Sequence, residues 1–189
     1  IYLFGIGIAI FAGGMTTVTA PVVPNLPRDH RVRRQSPDDT AAILAVAQAN
    51  DIAVLGYPDF GTDDVEEILG SPHVDAEEDT WVVTDRDDVV VGWAFIDAPP
   101  GGERTQFDVY AEPRADPGVR GALLDAVIAR GAQRATKHGL TTVTLDVGVV
   151  RGDDWAATLA ERDFVARRTF NRMRIDLDGP RPFPTRCSM

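Results

Sequence analysis

Apolar and polar positions change period several times along this chain, and each change predicts an element. His30–Gln35 reads as a short first strand. Ser36-Pro37-Asp38-Asp39 then combines an N-cap serine, a proline suited to the first helical position and an acidic residue three beyond the cap, a capping-box start. In the helix that follows, Ile43, Leu44 and Ala47 share one face at helical spacing. A second helix begins at Thr62, with Asp63 and Asp64 complementing its dipole, and ends near Gly70-Ser71-Pro72. Two β-branched and aromatic runs separated by Asp85-Arg86-Asp87-Asp88 predict a hairpin. After the Pro99-Pro100-Gly101-Gly102 turn, Thr105–Ala111 adds a neighbouring strand. Leu123, Leu124, Val127 and Ile128 mark one face of a long helix reaching about His138-Gly139. A β-prone stretch at 141–149, a short helix at Asp154–Arg162 and two further β-like pieces complete the order β-α-α-β-β-β-α-β-α-β-β. No internal repeat is present.

The two ends read differently. Residues 1–12 are uncharged and apolar, too short for a membrane helix of roughly 20 residues and without the basic flank of a secretory signal. The preferred reading takes Met15 as the natural start and residues 1–14 as a segment outside the domain; the alternatives are part of a membrane or signal segment, or a structural strand. Three prolines within 16–29 predict an extended lead-in, and Pro180, Pro182 and Pro184 predict a tail or linker. The expected division is 1–28 as apolar head and lead-in, 29–178 as the folded domain, and 179–189 as a Pro-rich tail. A domain of about 150 residues is large enough to bury a sizeable core.

Composition narrows the chemistry. Twenty-nine Asp and Glu against 19 Lys and Arg give a net charge of −10, which makes nucleic acid a poor partner. A single cysteine, Cys187, excludes an intrachain disulfide framework, and its place in the tail gives it no activating base. The three histidines fall in no metal-ligand spacing, so no metal is expected; His73 and His138 sit beside turns and should be exposed. Trp81, Trp93 and Trp155 are read as packing residues. A soluble, cytoplasmic domain is expected, without a membrane partner.

The element order, together with VYAEPRADPGVRGALLDAVIARGAQRATKHG from Val109 to Gly139, resembles the GNAT superfamily of N-acetyltransferases. In that family's acyl-CoA motif a strand reading V-x-P leads through an R/Q-x-x-G-x-G/A turn into a helix. A second match, LAERDFVARRTFNRMRIDL at 159–177, is similar to the family's ending, where a helix runs through Gly-Phe into two strands. The resemblance covers about 150 residues and implies an α+β fold with a central, mostly antiparallel mixed sheet flanked by helices. It departs at the signature positions: Ala115 stands for the Arg/Gln, Gly118 is kept, and Arg120 replaces the second small residue. Asp163-Phe164 stands for Gly-Phe, and Leu159 occupies the place of the usual general-acid tyrosine.

The resemblance implies acetyl-CoA as cosubstrate and a small amine as acceptor. The diphosphate would need backbone N–H donors at a helix N-terminus. Gly118, Val119, Arg120, Gly121 and Ala122 are the candidates, with Arg114 as a further phosphate contact. Tyr110 and Ala111, at the end of a splayed strand, would meet the pantetheine arm. A base must deprotonate the acceptor ammonium. Asp108, Glu112 and Asp146 are the candidate carboxylates, with Tyr110 as substitute proton donor. Alternation puts residues 108, 110 and 112 on one face, where they could converge.

Twelve acidic residues and one arginine lie between Asp59 and Asp88, whereas 162–186 holds seven arginines. In GNAT proteins the first two helices commonly line the acceptor side, so this acidic stretch implies attraction of a cationic amine. The alternative is a catalytically degenerate GNAT-like domain with a structural or regulatory role. It draws on the altered turn, the missing tyrosine and the Pro-rich end, which resembles the linker to a second GNAT domain in tandem proteins similar to mycothiol synthase. The remaining partner expected is such a second domain, or a second copy of the chain as a homodimer.

Overall fold

Seven strands form one sheet in a computed structural model that describes residues 2–11, 23 and 25–171. In chain order the elements are β1 (Tyr2–Phe11), β2 (Arg31–Arg33), α1 (Thr40–Leu55), α2 (Thr62–Gly70), β3 (Thr80–Thr84), β4 (Val90–Asp97), β5 (Arg104–Ala111), α3 (Gly118–Lys137), β6 (Thr142–Val150), α4 (Trp155–Ala160) and β7 (Val165–Asn171). The sheet order is β2-β3-β4-β5-β6-β1-β7. Every pairing is antiparallel except β5 with β6. The architecture is mixed α+β, as the element order implies.

Local signals account for most boundaries. The capping box forms as expected: Ser36 N donates to Asp39 Oδ2 at 2.7 Å and Asp38 N to Ser36 Oγ at 3.4 Å, around a single 3-10 turn that leads into α1. The turn at 85–88 closes the β3–β4 hairpin, with Asp88 in the left-handed region at φ 65°. Helix α3 stops where Gly139 takes φ 64°.

The apolar run at 1–12 departs from expectation. Its residues 2–11 pair with β6 on one side and β7 on the other, so they belong to the sheet rather than to a head outside the domain. An uncharged run without polar alternation suits an interior strand as well as it suits a leader, and only long-range pairing separates the two. The last of the two β-like pieces expected after the short helix, and Cys187, lie outside the described residues.

Two apolar clusters cover the two faces of the sheet. On one face α3 contributes Val119, Leu123, Leu124 and Val127, which pack with Phe107, Val109, Leu145 and Val147. On the other, Ile43 from α1 and Val65 from α2 cover Val82, Trp93 and Phe95. Fully burying each of these side chains is worth about 2 kcal/mol. Trp155 also lies in the core, and Trp93 Nε1 donates to Gln35 Oε1 at 3.1 Å. α3 lies so close to β4 that a Cβ on Gly92 would meet Val119 Cγ1 at 2.8 Å.

Charge fixes the long helix against the sheet. Asp79, fully buried, accepts from Arg130 Nε at 2.7 Å and Arg134 Nη1 at 2.6 Å, while Arg134 Nη2 reaches Ala98 O at 2.9 Å. This ties the C-terminal half of α3 to the segments that flank β3 and β4 and so sets where its N-terminus points.

Candidate active site

The site is made by a failure of pairing. β5 and β6 run parallel for three residues only, ending at Gln106 opposite Asp146. Beyond this point β5 keeps its partner β4 as far as Ala111, and β6 keeps β1 as far as Val150. The two strands follow different neighbours and separate, leaving one edge of β5 from 107 to 111 without a ladder partner on β6.

Two clefts open at this split. The first, about 880 Å³, lies between the end of β5, the start of α3 and the 151–155 segment after β6, and is lined by Ala111, Gly118, Arg120, Gly121, Ala122 and Trp155 among others. The second, about 460 Å³, lies on the sheet face not covered by α3 and holds Asp108, Asp146, Arg104, Arg167, Arg168 and Phe170. Gly148 is part of its wall and pairs with Gly5 of β1, so neither position brings a side chain to the floor.

Asp108 is the titratable group most changed by this geometry. On β5, Thr105, Phe107 and Val109 turn into the α3 core, which leaves Arg104, Gln106, Asp108 and Tyr110 on the opposite face. Burial pushes the Asp108 carboxyl up to about 7; Asp51 adds to the rise and Arg120 opposes it. Such a carboxylate is matched to proton transfer near neutrality. Asp51 itself is held in place by the amides of Asp59 and Phe60, which donate to its Oδ2 at 2.9 and 2.8 Å.

The other candidate residues do not converge on it. The Tyr110 ring stacks on Trp93 at 5.5 Å and lies 5.5 Å from Phe60, and lines neither cleft. Burial and the nearby Asp108 charge raise its phenol well above the ordinary value, so it stays protonated as a packing residue. Glu112 lies beyond the end of β5, where strand alternation no longer applies. Its Oε2 accepts from Arg114 N at 2.6 Å and the residue lines the first cleft. Asp146 is paired to Arg104 at 2.6 Å in the second cleft. Arg114 is exposed and lines neither cleft. His73 and His138 are exposed as expected. No acidic residue from 59–88 lines either cleft.

The turn at the head of α3 tests whether a CoA diphosphate fits. Gly118 N donates to Asp116 Oδ1 at 2.7 Å and Val119 N to Asp116 O at 2.9 Å, so the first two amides are already satisfied. Val119 points into the core. The Arg120 guanidinium lies 4.1 Å from the centre of the Trp155 ring and 3.5 Å from Asp153, and its Nε is buried without a partner. Desolvation lowers the Arg120 pKa against the pull of Asp153 and Asp108. Arg162 is committed to Asp125 at 2.6 Å. The cleft is open, but the Asp116 carboxylate already takes the first amide of α3, and Glu112, Asp125, Asp153, Asp154 and Glu161 also line it, so a diphosphate at this helix end would meet negative charge. Sequence reading does not single out Asp116, although the Asp-Pro-Gly triplet is a local turn signal that marks it. Nothing local marks Arg167 or Arg168.

The two departures near the C-terminal side of the motif have structural explanations. Asp163 takes φ 63°, the left-handed conformation that glycine favours and Asp tolerates, so the turn into β7 survives the change. Leu159 is fully buried in the core and accepts from Phe164 N through its carbonyl at 3.1 Å. It supplies packing and no proton.

Solved structures share this fold. A GCN5-related N-acetyltransferase from Sphaerobacter thermophilus superposes with a TM-score of 0.57 at 19% identity, over 73% of this chain and 44% of its own. The fold is that of the GNAT N-acetyltransferases. An N-acetyltransferase from Staphylococcus aureus Mu50 matches with a TM-score of 0.51 at 19% identity, over 71% of this chain and 81% of its own. Ribosomal-protein-alanine N-acetyltransferase from Brucella melitensis matches with a TM-score of 0.51 at 17% identity, over 70% and 82%. This GNAT-fold chain thus spans less than half the length of the first relative. No family model matches the chain, and no curated protein matches it in sequence. Among the described residues no helix is long and apolar enough to cross a membrane, and no group of three or more His, Cys, Asp or Glu could hold a metal.

Proposed function

We propose that this domain transfers an acetyl group from acetyl-CoA to the amine of a small acceptor. The observation that carries the reading is the split between β5 and β6 with Asp108 facing it, its carboxyl raised to about 7. Acetyl-CoA, when bound, supplies an activated acetyl group whose C–S bond is exchanged for a C–N bond to the acceptor. The unpaired edge of β5, from 107 to 111, offers main-chain groups to the donor arm, and a backbone N–H there would stabilise developing negative charge. Gly121 and Ala122 border the first cleft, where small residues leave room. Asp108 takes the proton from the acceptor ammonium on the other side of the split. Asp116 competes with the donor's phosphates, so the expected donor affinity is modest.

A second reading has its own support. The self-capped amides of Gly118 and Val119, and Arg120 held on Trp155 and Asp153, favour a non-catalytic domain with a structural or regulatory role. Such a domain would be one half of a tandem protein resembling mycothiol synthase. Calorimetric titration with acetyl-CoA, followed by a thiol-release assay over a panel of amines, separates the two. Binding with turnover, and an Asp108→Asn variant that binds acetyl-CoA but turns over about 100-fold more slowly, supports the transferase. No binding at millimolar acetyl-CoA supports the second reading.

A further inference from the structure

Among the described residues, the second cleft carries unspent positive charge on the same face as Asp108. Strand alternation should send Arg167 and Arg168 to opposite faces of β7. The β1–β7 ladder shifts register between Gly5 and Ile6: Arg168 pairs with Gly5 and Ala166 with Ile6, which leaves Arg167 as the extra residue of a bulge. A bulge re-aims a side chain, and here both arginines line the cleft. Arg104, at the same cleft, commits its guanidinium to Asp146. Neither Arg167 nor Arg168 has a carboxylate partner among the described residues; Arg168 lies 5.6 Å from the Phe170 ring. Gly148, in the cleft wall, and its pairing partner Gly5 bring no side chain of their own between Asp108 and these arginines.

We infer that the acceptor is a small primary amine that also carries a carboxylate or phosphate, its anionic group held by Arg167 and Arg168 and its amine turned toward Asp108. Guanidinium forks match carboxylate and phosphate oxygens in pairs, which an ammonium-only ligand cannot use. The inference rests on the transferase reading for the fate of the amine, and on the cleft alone for the binding of the anion. It replaces attraction by the acidic 59–88 stretch with recognition by a basic wall.

The test begins without acetyl-CoA. The full chain is titrated calorimetrically with L-glutamate, with phosphoethanolamine and with putrescine, and then each is assayed for thiol release in the presence of acetyl-CoA. Binding of L-glutamate or phosphoethanolamine, but not of putrescine, is expected; the tighter of the two distinguishes a carboxylate from a phosphate acceptor. Arg167→Gln and Arg168→Gln, both at exposed positions, should each weaken binding about fivefold, and the double variant about twentyfold. Preference for putrescine, absence of binding by both anionic amines, or affinity unchanged in the double variant would overturn the inference. Arginine-dependent binding without thiol release would instead leave the anion site standing and remove the transferase reading.

Discussion

Replacing Asp108 with asparagine should change how the stability of this domain depends on pH. In the unfolded chain the carboxyl titrates near its ordinary 3.8, and in the folded protein at about 7. Below pH 4 both states hold the proton and the site costs nothing. Between about 4 and 7 the unfolded chain has lost the proton while the folded protein keeps it, so stability falls as pH rises. Above 7 both are ionised and the cost is fully present. The displacement from 3.8 to about 7 corresponds to about 4 kcal/mol. Because the residue is half-buried, solvent screening reduces this to about 2 kcal/mol. Asparagine cannot ionise, so the difference in stability between Asp108→Asn and the parent should rise by about 2 kcal/mol from pH 4 to pH 8. Urea denaturation of both proteins across this range measures it, and taking the difference cancels the other carboxylates, which titrate in both. A difference that stays flat, or that changes only below pH 4.5, would refute the claim that the β5–β6 split desolvates this group. Stability is a cleaner readout here than turnover, because the acceptor amine also titrates and would distort a rate profile.

Two further outcomes follow from the same geometry. Asp116→Asn removes a negative charge from the head of α3, so acetyl-CoA affinity should tighten about two- to fivefold by calorimetry; unchanged or weaker binding would mean the carboxylate does not compete with the diphosphate. Asp79→Ala leaves Arg134, itself buried, without its main partner, and should lower stability by about 3 kcal/mol in thermal or urea unfolding.

What the sequence by itself determined was local. The Ser36 to Asp39 cap, the second helix from Thr62, the 85–88 hairpin, the long helix ending near Gly139 and the strand at 105–111 are each written in a few neighbouring residues. Short-range sterics, capping and periodicity decide such features, and they suffice to suggest the GNAT fold. Asp108 was legible as a candidate base because the resemblance calls for one on this strand, and alternation puts it opposite the apolar residues of β5. The failures were all non-local. Residues 2–11 are a strand only because β6 and β7 accept them, and an apolar run does not name its partners. Glu112 and Tyr110 left the expected cluster because the chain bends after Ala111 and because Trp93 and Phe60 claim the phenol ring. The Asp108 carboxyl is raised by burial and by Asp51 against the opposing charge of Arg120, groups from two helices brought to one split. Arg167 and Arg168 share a cleft through a register shift set by a strand more than 150 residues away in the chain. Elements follow from neighbours along the backbone, whereas charge, desolvation and the facing of side chains belong to neighbours in space, and only the tertiary structure chooses those.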